Sequence, residues 1–396
     1  MRKLNQLIAA ALVTISLNSF AGNCPELSGT YTIGKSATAN FNSVTEAVEA
    51  AECGGVNGPV TFQIENGNYY ERVVMSSVPG TSAINNITFE SKSGYNTDVV
   101  ISYSSLNATL VMNGTSYVSF ENITINHRAA VYGNVMHVDG KATAMHFSSV
   151  IFNGIDAPRT GANSATVYFT SNAPKTDISF NDCEINNGSM GIVKGGHDAE
   201  TADTKTVISG TVFSNQFETA LALSNETAPA INNNIINSTS NFSNYMGISL
   251  SNVSGEEVIN NNVITMALGS TGIEMFNCKA EADHYGQIIG NTVSVGGNDE
   301  ANGISMTGNT DNQVLNLNCV KLNNGAESIN QAYYRNKGTG NNIDIMNNIF
   351  CDLSTGGYTM IGGTDKGAIK QTTRQTNTGL TALANGLMTE KVTAVR

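Results

Sequence analysis

The sequence predicts an all-β solenoid, a chain coiled so that successive turns stack as parallel strands. Two alternating phrases predict it. Gly-Ile-X-Leu/Met begins at Gly247, Gly272 and Gly303, and Ile-X-Asn-Asn/Thr begins at Ile231, Ile259, Ile289 and Ile345. Their shared period of about 25–31 residues is the length of one solenoid turn. Composition adds a third observation: 40% of residues are hydrophobic but only 13% are charged. A core can therefore form while Asn, Ser, Thr and Gly cover the outside. An all-helical alternative fails, because Asn and Gly interrupt every helical window.

The first elements follow from local pattern. Residues 1–21 read as a secretory signal: Arg2 and Lys3, an apolar run from Leu7 to Leu17, and Ser19-Phe20-Ala21 before Gly22. Loss of those two cations takes the net charge from −12 to −14. That acidity argues against nucleic acid and anionic membrane as partners. No other segment is apolar enough to predict a transmembrane span. The expected location is outside the cytoplasm, secreted or on the cell surface.

Ser43-Val44-Thr45-Glu46 is a capping box. Val44, Ala47, Val48 and Ala51 follow at helical spacing, and Cys53-Gly54-Gly55 ends the helix. This short helix is expected to cap the exposed end of the solenoid core. Val60 to Ile64 alternates as a half-buried strand, Asn66-Gly67 turns the chain, and Glu71 to Met75 starts another strand.

This order of helix, strand, Asn-Gly-Asn-Tyr and Glu-Arg-Val-Val, over Phe41 to Met75, resembles pectin methylesterases and other proteins of the pectin-lyase-like superfamily. The resemblance implies a right-handed parallel β-helix. It also implies a polysaccharide groove on the outer face of the sheet that the Gly-Ile strands form. The catalytic motifs of the superfamily do not carry over. Asn309-Thr310-Asp311 resembles the first motif of polygalacturonases, but its companion motifs are absent, and the chain has no Trp for the esterase Trp-Gly-Arg element.

Further strands are expected at Ile87–Ser91, Val99–Tyr103, Leu110–Asn113, Val118–Ile125, Val135–Asp139, Val167–Thr170, Ile178–Ile185, Gly191–Lys194 and Leu221–Leu223. Stacked turns lie about 4.8 Å apart. At that spacing Asn233, Asn261, Asn291 and Asn347 are expected to form a corner ladder, since Asn tolerates left-handed backbone. The β-helix domain is expected over residues 22–367. Residues 368–396 form a tail or cap, with Leu380, Leu383 and Leu387 at helical spacing.

Six cysteines in an exported chain suggest oxidation. Cys24 and Cys53 bracket the N-terminal segment and are the expected disulfide. Cys183, Cys278, Cys319 and Cys351 lie in repeat units. Cys319 aligns with Val293 and Ile349 and is expected to be a small buried side chain.

Alternation places Ile192, Leu221, Ile248, Ile273 and Ile304 inward and Val193, Ala222, Ser249, Glu274 and Ser305 outward. In earlier turns His137, Asp139 and Tyr168 point out, with Lys194 and His197 closing the next strand. His137, Tyr168 and Lys194 are the candidate catalytic residues: a base beside a charge-neutralising group is what β-elimination from a uronic acid requires. Asp139, His197, Ser249, Glu274 and Ser305 are the candidate substrate-binding residues. Paired carboxyls for glycoside hydrolysis are not brought together, and Asp299-Glu300 and Glu256-Glu257 fall in expected solvated loops. No cofactor motif is evident. Asp198, Glu200 and Asp203 form a loop whose oxygens are compatible with calcium.

The expected role is binding of an extracellular polysaccharide or cell-surface partner. A lyase acting on uronate-containing glycans is the alternative, and a structural surface or matrix protein the third.

Overall fold

The computed structural model describes residues 24–382 except 106, 157, 197–201, 298–300, 325–329, 336–341, 353–360, 364–368, 371–372 and 377–378. The expected signal at 1–21 lies outside the described residues. The chain forms a parallel β-solenoid of about ten turns. Its strands line up into three sheets of 14, 11 and 13 strands. The second of these carries the Gly-Ile strands, from Val73–Met75 through Leu110–Asn113, Met136–Asp139, Val167–Phe169, Met190–Gly195 and onward, and is called the groove sheet below.

Stacking in register puts like over like in the first sheet. Phe62, Phe89, Phe120, Phe147 and Phe180 form one inward column, with successive ring centroids 4.9, 5.1, 5.7 and 4.8 Å apart. Ile208, Ile231, Ile259, Ile288 and Leu315 continue that column. The core is thus one continuous apolar rod. Offset ring stacking adds to the burial of each aromatic side chain.

The expected strands Val118–Ile125 and Ile178–Ile185 are each two strands around a corner: Ser116–Glu121 with Thr124–His127, and Lys175–Asn181 with Glu184–Asn186. Left-handed residues make those corners, Asn122 at φ 53° and Asp182 at φ 51°. One such residue turns the chain without breaking the inward alternation on either side.

The same corner corrects the expected Asn ladder by one position. Asn233, Asn261 and Asn347 take the left-handed backbone, as Gly290 and Leu317 do in their turns. The buried ladder is Asn234, Asn262, Asn291, Asn318 and Asn348, each side-chain oxygen accepting from the turn before. A left-handed residue directs its own side chain outward, so the next residue fills the corner. Asn291 alone of the expected set lies in the ladder.

The helix spans Val44–Gly54 and buries Val44, Ala47, Val48 and Ala51. Ser43 Oγ accepts from Glu46 N at 3.0 Å, while the Glu46 carboxylate reaches Asn42 N at 2.7 Å rather than Ser43. Two further N-terminal donors are satisfied from another turn, since the Glu71 carboxylate accepts from Val44 N and Thr45 N at 3.0 and 2.8 Å. The helix packs against Val73–Met75. Cys24 and Cys53 form the expected disulfide.

The other cysteines fall in different places. Cys183 and Cys278 are buried thiols without a disulfide, and burial pushes Cys183 up to about 12. Cys319 aligns with Thr292 and Ile349, not Val293, and is half-buried on the outer side. The described part of the C-terminal segment is strand: Thr373–Thr376 continues the third sheet and pairs antiparallel with Gly379–Ala382. Leu380 lies in that last strand, and Leu383 and Leu387 lie outside the described residues.

Candidate functional site

On the outer face of the groove sheet, one column runs Val111, His137, Tyr168, Val193, Ala222, Ser249, Glu274 and Ser305. His137 and Tyr168 are neighbours in it because Met136, Val138, Val167 and Phe169 turn inward. Their rings meet edge to face, 5.3 Å apart at 82°.

A groove of about 580 Å³ opens beside His137, lined also by Arg72, Asn113, Tyr132, Asn134 and Asp139. Burial holds the His137 imidazole below its usual range, and Arg72 pushes the same way against the opposing Asp139 carboxylate. Asp139 is held below the usual carboxylate range chiefly by the Thr170 hydroxyl, which donates to it at 2.8 Å, and Asn172 donates to the same oxygen. The groove thus offers a neutral imidazole, a carboxylate already braced by two donors, and a guanidinium. Arg72 Nε donates to Ala108 O at 3.3 Å, which anchors the side chain at the groove edge. Arg159 lies over the Tyr132 ring with its guanidinium carbon 5.0 Å from the centroid.

Farther along the column, Ser249 Oγ donates to Glu274 Oε2 at 3.2 Å. Ser305 is in register but buried, only 4% exposed. A second groove of about 350 Å³ lies beyond Tyr168, lined by Val193, Ala222, Ser224, Ser249 and Ser251 among others.

Lys194 does not join this face. It pairs with inward Phe169 and is 1% exposed, its Nζ bonded to Asp203 and Glu226 inside the solenoid. Strict alternation after inward Ile192 and outward Val193 requires this. His197 lies outside the described residues, as do Asp198 and Glu200 of the expected calcium loop and the Asp299-Glu300 pair. Asp203, the third calcium candidate, is committed to Lys194. Glu257 is not in a solvated loop either: it is fully buried, with Oε1 accepting from Gln313 Nε2 at 2.6 Å.

Sequence reasoning missed Arg72, Tyr132 and Asn134. Arg72 follows Glu71 in the motif that carried the resemblance, but nothing local shows that its side chain reaches a groove two turns away. Tyr132 and Asn134 lie in a loop between strands, where alternation gives no direction.

These features define a protein with the pectin-lyase-like parallel β-helix fold, carrying a polar, aromatic-walled groove on one outer sheet. Among solved structures, it is similar to the GH136 lacto-N-biosidase from Eubacterium ramulus, at 11% identity and a TM-score of 0.50 over 86% of this chain and 67% of that one. It is also similar to PfbA, a surface adhesin of Streptococcus pneumoniae, at 12% identity and a TM-score of 0.44 over 86% and 90%. The pectin methylesterase from Aspergillus niger matches at 12% identity and a TM-score of 0.31 over 80% and 87%. At such identities a likeness concerns fold alone. No family model and no curated protein sequence matches the chain.

Proposed function

We propose that the protein is an exported glycan-binding β-helix whose ligand lies in the groove beside His137. The observation that carries this reading is the groove itself, where Arg72, Asn134, His137 and Asp139 converge beside the Tyr132 ring, with the Tyr168 ring packed against His137. Sugars are held by such sets, with hydroxyls on polar side chains and apolar ring faces on aromatics. Export agrees with the Cys24–Cys53 disulfide. No helix among the described residues is long and apolar enough to cross a membrane. The helix Val44–Gly54 serves in this reading as the cap of the first turn. A glycan array with the folded protein, repeated with Arg72→Ala and Tyr168→Ala, tests the proposal. Retained binding in both variants, or no binding to any glycan, would sink it.

A second reading is favoured by one observation: an imidazole held neutral beside a guanidinium is the pairing that β-elimination uses, a base with a carboxylate-neutralising group. In that lyase reading His137 is the base and Arg72 takes the place first expected for Lys194. Incubation with uronate-containing polysaccharides, followed by ultraviolet absorbance of the unsaturated product, decides it. Product from wild type but not from His137→Ala supports the lyase, and no product from any of them removes it.

A further inference from the structure

The interior holds ionisable side chains that the groove does not use. Lys175, Lys194, Asp203 and Glu226 are all 0–1% exposed. Asp203 and Glu226 stack in register on the first sheet, while Lys194 enters from the groove sheet opposite. Its Nζ lies 2.6 Å from Asp203 Oδ2 and 2.5 Å from Glu226 Oε1. Asp203 Oδ1 accepts the backbone N–H of Lys175 at 2.7 Å, and Glu226 Oε2 accepts the Thr206 hydroxyl at 2.8 Å. The Lys175 ammonium stays apart, donating to Thr170 O and Ala173 O.

Stability alone explains this cluster poorly, because buried ion pairs are often no better than apolar packing of the same volume. Its geometry suits a reaction. An amine touching a carboxyl group differs from an amide by one water. Confinement supplies the effective concentration that the same pair lacks in solution. The two carboxyls are held differently. Asp203 has a backbone N–H on the oxygen that would carry developing negative charge, as an oxyanion donor does. Glu226 has its proton affinity raised by burial, which suits a proton carrier.

We propose that Lys194 Nζ and Asp203 Cγ join in an intramolecular isopeptide bond, with Glu226 relaying protons and the Lys175 N–H polarising the Asp203 carbonyl. The ammonium of Lys194 first gives a proton to Asp203, leaving a neutral amine and a carboxylic acid. The Nζ lone pair attacks Cγ, and electron density moves to Oδ1 beneath the Lys175 N–H. Glu226 takes a proton from Nζ and delivers one to Oδ2. The Cγ–Oδ2 bond then breaks, water departs, and Glu226 ends in the state in which it began. One N–C bond replaces one C–O bond, with no oxidant or cofactor. The second groove, lined in part by Lys194, lies beside the cluster as a path for the water. The product ties Met190–Gly195 to Asp203–Ser209, joining two walls of the solenoid.

Tryptic digestion of the unfolded full-length protein with tandem mass spectrometry tests this. Trypsin cannot cleave after an acylated lysine, so the expected product is residues 176–205 as one peptide, lighter by one water. Separate peptides 176–194 and 195–205 overturn the proposal, even if the second has lost water by cyclisation of an aspartate. A branch joining Lys194 to peptide 206–279 places the bond on Glu226 and overturns the assignment to Asp203. Glu226→Gln, which keeps shape and volume, is expected to lose the linked peptide. A linked Glu226→Gln protein overturns the proton relay. Should that variant not fold, the wild-type digest still decides whether the bond exists.

Discussion

Asn291 Oδ1 receives two hydrogen bonds from Asn262, one from its backbone N–H at 3.0 Å and one from its side-chain amide at 2.9 Å. Asn262 passes the same pair of acceptor contacts to Asn234 and also donates to Ile231 O. The ladder satisfies buried backbone groups at corners where no sheet partner exists. Asn262→Ala removes the acceptor of two buried donors on Asn234. It is expected to cost about 1–3 kcal/mol in urea unfolding. Asn261→Gly, one residue earlier at φ 55°, is expected to cost less than about 1 kcal/mol, because glycine adopts that backbone freely.

Phe120 lies between Phe89 and Phe147 in the aromatic column, with no exposed surface to collapse into. Phe120→Ala is expected to destabilise by about 3–5 kcal/mol. Thermal unfolding followed by near-ultraviolet circular dichroism would register both the lost stability and the broken stack.

Burial pushes the Glu257 carboxyl up to about 7 from an ordinary value of 4.5. Among the described residues, Glu257 Oε2 and Gln313 Oε1 are both buried without a hydrogen-bond partner, which a proton on Glu257 relieves. The folded protein keeps this proton where the unfolded chain releases it. Its contribution is therefore complete below about pH 4.5 and is lost as the pH rises to about 7, on the order of 3 kcal/mol in total. Glu226, also raised, acts in the same direction. Urea midpoints measured across that window should fall with rising pH in wild type and fall less in Glu257→Gln.

Arg72 and His137 face the same groove from different turns, so their loss should weaken ligand binding without unfolding the rod. Arg72→Ala is expected to reduce affinity for a bound glycan by about tenfold to a hundredfold, the loss of one charged hydrogen bond. Isothermal titration with the best array ligand measures it, and an unchanged melting temperature separates binding from stability.

The Cys24–Cys53 disulfide links residues 29 apart in sequence. Cys24→Ser with Cys53→Ser is expected to cost about 3 kcal/mol, and to act locally because strand pairing joins each turn only to the next. Hydrogen exchange should rise in Leu27–Ile33 and Val44–Gly54 while the Asn ladder keeps its protection.

Much of the rod was legible in the sequence. The strands Ile87–Ser91, Val99–Tyr103 and Leu110–Asn113 fall where apolar alternation places them, and His137 and Tyr168 face outward as alternation requires. The site was legible only in part. Lys194 is expected from the sequence to close its strand beside His137 and Tyr168, but alternation after outward Val193 turns it into the interior. Its partners Asp203 and Glu226 are 9 and 32 residues away, and no local pattern links them.

The sequence by itself determined that this chain coils, that its strands stack in parallel and which side chains within a strand share a face. Those properties depend on a repeat and on the two-residue period of an extended backbone. Only the tertiary structure decided which residue fills a corner, which turn lends Arg72 to the groove, and which charges meet in the interior. A left-handed corner residue resets the facing of its neighbours, and stacking brings together groups separated by whole turns, so each outcome depends on contacts that no local stretch of sequence contains.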